Sequence, residues 1–199
     1  MGAEQSGFVN SVGFDLYSRL LEEAMLEARS DWNHKIGKVF NERENLNRSD
    51  DDFRVEFAGD AFIPDDYIPD EEMRVNFYRK LSNSGTVEEI IKLYGEMVDR
   101  FGRTPQELNN LFSLLRLKIL AKESGAIGLA VKMNSLRLDY DLNGDSYRKL
   151  IERAVLSAHG ENLEFSNDPN FAIKLSFDDV EDYEPPLNKM EEFVKSIIT

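Results

Sequence analysis

The sequence contains no cysteine, which excludes disulfides and thiolate metal sites. It has only two histidines, His34 and His159, and a catalytic or metal role for either would need further converging groups. No apolar run approaches the roughly 18 residues that a membrane span requires, and no charged-then-apolar leader opens the chain. A cytoplasmic protein without membrane partners is therefore expected. Basic residues are scarce: 24 Lys and Arg stand against 38 Asp and Glu, a net charge of −14. Nucleic-acid affinity rests on basic side chains displacing counterions from phosphates, so this chain is not expected to bind DNA. Also missing are the GxxxxGK[ST] phosphate loop, GxGxxG, GxSxG and HExxH. Nothing here specifies an enzyme complete in itself.

What is present suffices for a folded unit. The 199 residues allow one large domain, or one of about 150 residues with an appendage. The acidic surface has two readings, solubility or a face that docks a basic partner. The opening residues carry two glycines and a serine and run straight into a helical pattern, as if the chain began partway through something larger. Tyr17, Leu20, Leu21, Ala24, Met25 and Ala28 recur at helical spacing, predicting an amphipathic helix over residues 10–29. Residues 30–52 lose that period and read as a linker around Trp32.

A second unit spans residues 53–199. Phe53, Val55 and Phe57 alternate with charged residues, as in a half-buried strand. Pro64 and Pro69 each restrict the residue before them, predicting an extended connection. Asp70 suits a helix N-cap, with Met73, Phe77 and Leu81 as the buried stripe. Thr86 and Glu89 form a capping-box pattern, and Gly102 stops the helix that follows. Thr104 and Glu107 repeat the pattern with Pro105 at the first helical position; Leu108, Leu111, Phe112, Leu115 and Ile119 make the stripe and Gly125 ends it. The period then changes: apolar residues over 127–133, alternation at Leu136, Leu138 and Tyr140, an Asn143-Gly144 turn, and a helix from Tyr147 to His159. Further strands are expected at Leu163–Phe165 and Phe171–Phe177, and a helix follows Pro186. The fold class is α+β, a helical cluster with a small, mostly antiparallel sheet, preceded by the helix at residues 10–29.

Three acidic groups are candidates for chemistry. Asp139, Asp141 and Asn143 copy the opening of a calcium loop, but its twelfth position is Leu150 rather than a bidentate acid. Asp60, Asp65, Asp66, Asp70, Glu71 and Glu72 could hold a magnesium ion, with Asp65–Glu72 serving a metal-dependent hydrolase, although capping and turn chemistry account for them. Glu96 and Asp99 lie three apart, opposite Tyr94, Met97 and Phe101, and both should be exposed. They have two readings: intrahelical pairing with Lys92 and Arg100, or an acidic hot spot for a partner's arginine.

Three blocks, GAEQSGF with VGFDLY, IPDDYIPDEEMR with FYRKL, and GEMVDRFGRTPQELNNL, resemble in order and spacing the C-terminal part of the bacterial transcription-repair coupling factor. The resemblance covers residues 2–125 and weakens toward the C-terminus. It implies a parent that is an ATP-driven, magnesium-dependent double-stranded DNA translocase. Such a parent displaces RNA polymerase stalled at lesions and recruits excision-repair proteins. Its catalytic motifs would lie upstream, leaving no cofactor and no catalytic residue in this chain. Residues 1–29 would then be the end of the translocation motif and a hook helix, with Gln5 on the motif's glutamine. The family has two glutamates before that glutamine, whereas this chain has Ala3 as the first. Residues 53–199 would be a regulatory domain that clamps onto the parent's N-terminal repair-recruitment region. Glu96 and Asp99 fall on the acidic positions of that clamp, which favours the partner-facing reading.

Overall fold

The computed structural model describes residues 53–141, 146–167, 170–177 and 186–198. The helix expected over residues 10–29, the linker, Gln5, His34 and the Asn143-Gly144 turn lie outside these residues. The described elements run β1 (Arg54–Phe57), α1 (Glu71–Ser82), α2 (Val87–Phe101), α3 (Gln106–Glu123), β2 (Gly128–Lys132), β3 (Ser135–Tyr140), α4 (Ser146–Ser157), β4 (Asn162–Asn167), β5 (Phe171–Ser176) and α5 (Leu187–Ile198). The strands form one sheet in the order β1-β2-β3-β5-β4. β1 pairs parallel with β2, and the other three pairings are antiparallel. The fold is α+β, as the change of period predicts.

Alternation along the strands decides which sheet face is buried. Leu129, Val131, Leu136, Leu138, Tyr140, Phe171, Ile173 and Leu175 are all buried and belong to one core. Their neighbours in sequence, among them Lys132, Arg137 and Lys174, belong to the other face. The same core takes Leu150 and Ala154 of α4, Ala158 just past its end, and Met190, Phe193, Val194 and Ile197 of α5. A second cluster unites Phe77, Tyr78 and Leu81 of α1, Ile90 and Met97 of α2, and Leu108, Leu111 and Phe112 of α3.

α3 belongs to both clusters. Its first half lies in the helical one, while Leu114, Leu117, Leu120 and Ala121 enter the sheet core. A single stripe was expected here. Apolar residues instead surround much of the helix, because it is buried on two sides. Between the two sets, Arg116 holds Glu191 of α5 through three contacts of 2.8–3.1 Å and also donates to Ser113 Oγ at 3.0 Å. Both partners are largely buried, at 19% and 8% side-chain exposure.

The helix starts differ from one another. Asp70 Oδ1 accepts from the Met73 amide at 2.8 Å, as expected of an N-cap. The Thr86–Glu89 capping box is complete in both directions. The second box, at Thr104 and Glu107, does not form: Pro105 takes the cap position without a side-chain bond. Thr104 is otherwise engaged, donating to Asn109 Oδ1 at 2.7 Å and lying 3.0 Å from the Tyr94 hydroxyl. Tertiary partners thus outcompete the local one.

Two further expectations change. The Pro64–Pro69 connection is not extended throughout, since the Ile68 amide closes a turn onto the Pro64 carbonyl at 3.1 Å. Proline restricts the residue before it, so Asp65, Asp66 and Tyr67 remain free to turn. The segment is pinned by the Ile63 amide donating to Tyr78 Oη at 2.6 Å and by Arg74 donating to the Ile68 carbonyl at 2.6 Å. At the end of α4, His159 lies beyond the last helical residue, Ser157, in the left-handed region at φ 47°. Gly160 follows at φ 90°, so the reversal takes two residues rather than one glycine.

Candidate functional site: the outer surface of α1 and α2

α2 is placed by its capping box and by Ile90 and Met97, both fully buried against α1 and α3. That arrangement turns Ile91, Lys92, Val98 and Asp99 outward. Ile91 and Val98 are seven residues apart, two helical turns, and remain 55% and 38% exposed. Asp99 is exposed, as the spacing predicts.

Glu96 differs from that expectation. It is only partly exposed and is held from two sides. Lys80 of α1 donates to both carboxylate oxygens, at 2.9 and 3.1 Å, and Arg100 donates to Oε1 at 3.3 Å. The hydrogen bond from Lys80, more than any other contact, holds the Glu96 carboxyl below its ordinary range. The two cations are themselves positioned by aromatic rings. Lys80 Nζ lies 5.1 Å from the Phe77 ring centre, and the Arg100 guanidinium lies 5.5 Å from Phe77 and 5.2 Å from Phe101. Arg100 also contacts Met73 Sδ at 3.6 Å. The intrahelical pair with Arg100 was legible from spacing. The cross-helix bond to Lys80 was not, because it depends on how α1 packs on α2.

The remaining acidic candidates do not converge. Among the described residues, no three of His, Asp and Glu come together so as to hold a metal ion. Asp70 is engaged as an N-cap, and Glu71 and Glu72 occupy the first turn of α1, where they suit the positive end of the helix dipole. Asp139 accepts from Arg137 Nε at 2.9 Å on β3, so that carboxylate has a structural cation as its partner. Among the described residues, no helix is long and apolar enough to cross a membrane.

Sequence reasoning also missed a polar groove between α3 and the start of α5. Tyr94, Gln106, Asn109, Asn110, Ser113, Arg116 and Lys189 line it. Its polar groups are largely bonded to one another or to the main chain, as when Asn110 Nδ2 donates to the Asp60 carbonyl at 3.0 Å. It is a bonded seam joining the two clusters.

The fold therefore defines an α+β domain with a five-stranded sheet, whose candidate site is a helical surface rather than a cavity. A family profile described as the TRCF domain matches residues 57–150. The chain belongs, through that domain, to the transcription-repair-coupling factor family and corresponds to its C-terminal region. The factor of Bacillus subtilis is 36% identical over 123 residues, covering 62% of this chain and 9% of that protein. The factor of Borreliella burgdorferi is 31% identical over 182 residues, covering 91% of this chain and 15% of that protein. The chain thus spans only about a tenth to a seventh of the length of these relatives. A crystal structure of the C-terminal domain of a transcription-repair coupling factor superposes with a TM-score of 0.59 at 20% identity, covering 73% of this chain and 91% of that one. At that identity the likeness establishes the fold.

Proposed function

We propose that this chain is the autoinhibitory interaction domain of an ATP-dependent DNA translocase that displaces stalled RNA polymerase and couples transcription to excision repair. In this reading the outer surface of α2 docks onto the N-terminal repair-recruitment region of the same parent. Docking masks the recruitment site, and engagement of polymerase releases it. This is a two-state element whose closed form is stabilised by differential contacts. Gln5 belongs to the end of the translocation motif, while ATP, magnesium and DNA are handled by other parts of the parent. The chain itself takes no cofactor, is not catalytic, and works in the cytoplasm.

The observation that carries the reading is the company Asp99 keeps. Asp99 is exposed next to the outward Val98 and one turn from a Glu96 already oriented by Lys80 and Arg100, with Ile91 exposed two turns earlier on the same helix. A partner arginine meeting such carboxylates forms charge-assisted hydrogen bonds. The apolar flanks exclude water around them, which strengthens those bonds.

The test is binding in trans between this chain and the N-terminal region of the parent, followed by calorimetry. Glu96→Lys combined with Asp99→Lys is expected to abolish binding, with the fold retained by circular dichroism. Because Glu96→Lys would gather three cations, Asp99→Lys alone is the cleaner variant and should weaken binding at least tenfold. Unchanged affinity in both variants would remove these acids from the interface.

A further inference from the structure

The outer surface of α2 contains a residue that the described part of the domain does not call for. Gly95 lies in the middle of a 15-residue helix with a complete capping box. Glycine is the worst helix residue after proline, because it surrenders the most backbone freedom. A glycine in such a position is usually explained by crowding. Here, among the described residues, a Cβ added at Gly95 would meet nothing within 4 Å. Nor is its backbone left-handed, unlike those of Gly102, Gly125 and Gly160. Neither its conformation nor packing against the described residues requires a glycine there.

Its neighbours suggest what does. Ile91 is four residues before Gly95 and Val98 three after, so all three share one helical face. The two apolar side chains stand about 10 Å apart along the axis, with bare main chain between them. This makes a saddle with an apolar wall at each end. Asp99 follows Val98 directly, and Glu96 follows Gly95.

We infer that Gly95 is the point of closest approach for the docked partner, a cationic segment whose main chain crosses α2 between Ile91 and Val98. This rests on the docking role proposed above and specifies how the partner sits. With no Cβ in the way, the partner's backbone reaches van der Waals contact with α2. An arginine on the same segment then reaches Asp99 and Glu96. A cationic segment is favoured over a second copy of this chain on charge. Each copy carries −14, so two copies repel one another, whereas a cationic segment is drawn to Asp99 and Glu96.

The experiment compares Gly95→Ala and Gly95→Leu with the unaltered chain in two measurements. In thermal melts, Gly95→Ala is expected to raise the midpoint by about 2–4 °C, since the helix gains propensity and nothing clashes. In titrations against the parent's N-terminal region, affinity is expected to fall about tenfold for Gly95→Ala and beyond detection for Gly95→Leu. A domain made more stable yet less able to bind is the signature of a glycine kept for a partner. If Gly95→Ala lowers the midpoint, the glycine serves the fold and the inference fails. If Gly95→Leu binds normally while Asp99→Lys does not, the docking reading stands and the close approach is wrong. If the unaltered chain does not bind at all, both fail. Sedimentation that finds concentration-dependent dimers of the unaltered chain, abolished by Gly95→Leu, would overturn the choice of a cationic partner.

Discussion

The contact between Arg116 and Glu191 offers the sharpest energetic test of how this domain is held together. Glu191 lies on α5, Arg116 on α3, and α3 is the helix shared by both hydrophobic clusters. Replacing Glu191 with Leu keeps α5 apolar enough to pack but strips Arg116 of its carboxylate. Breaking a buried, hydrogen-bonded pair from one side typically costs about 3–5 kcal/mol. Arg116 keeps its 3.0 Å bond to Ser113 and is 19% exposed, so water can reach it in part. The low end, about 3 kcal/mol, is therefore expected for Glu191→Leu. Arg116→Met should cost more, because it leaves a carboxylate only 8% exposed with no cation beside it. For a domain of this size, 3 kcal/mol corresponds to a midpoint lowered by about 6–12 °C. The double variant Arg116→Met with Glu191→Leu removes both charges together and should return to within about 1 kcal/mol of the original. Urea melts followed by far-ultraviolet circular dichroism measure all four proteins of the cycle. A Glu191→Leu loss below about 1 kcal/mol, or a double variant no better than the sum of the singles, would refute the reasoning.

Acid should act on the α1–α2 surface through Glu96. Its carboxyl is held down chiefly by the Lys80 hydrogen bond, so its contribution is fully present above the ordinary carboxylate range and lost as pH falls through the lowered value. Glu96→Gln should then be less stable than the original chain at neutral pH by about 0.2–1 kcal/mol, with the difference closing in acid. A gap that stays constant with pH in urea melts would contradict this. At the other extreme, burial pushes the Tyr140 hydroxyl up to about 12, although its bond to Ser124 at 3.0 Å partly opposes the shift. A raised value means stability that is whole below the ordinary tyrosine range and lost as pH rises toward 12. Tyr140→Phe should flatten that alkaline loss, and it should remove a late-titrating phenolate from the ultraviolet spectrum. Finally, at −14 the isolated chain should show no appreciable affinity for double-stranded DNA in fluorescence anisotropy. Tight, salt-sensitive binding would contradict that expectation.

Much of the described fold was legible in the sequence because its signals are local. The Thr86–Glu89 box, the Asp70 cap, the stops at Gly102 and Gly125, and the alternation through Phe171–Phe177 all depend on residues a few positions apart. The points that changed are those where a distant partner intervened. Thr104 forfeits its capping role because Tyr94 and Asn109 compete for its hydroxyl. Glu96 is less free than its helical position implies because Lys80 arrives from α1. α3 is wrapped on two sides because a sheet core and a helical core share it.

The sequence by itself determined the element order, the α+β class, the acidity that argues against nucleic acid, and the blocks that mark the family. Periodicity, caps and charge are properties of the chain before it folds. Only the tertiary structure decided which acids share a surface, which cations orient them, and that no other described residue crowds Gly95 between Ile91 and Val98. Those facts depend on how helices cross and what lies beyond their outer faces, and neither quantity is written in the spacing of residues along one helix.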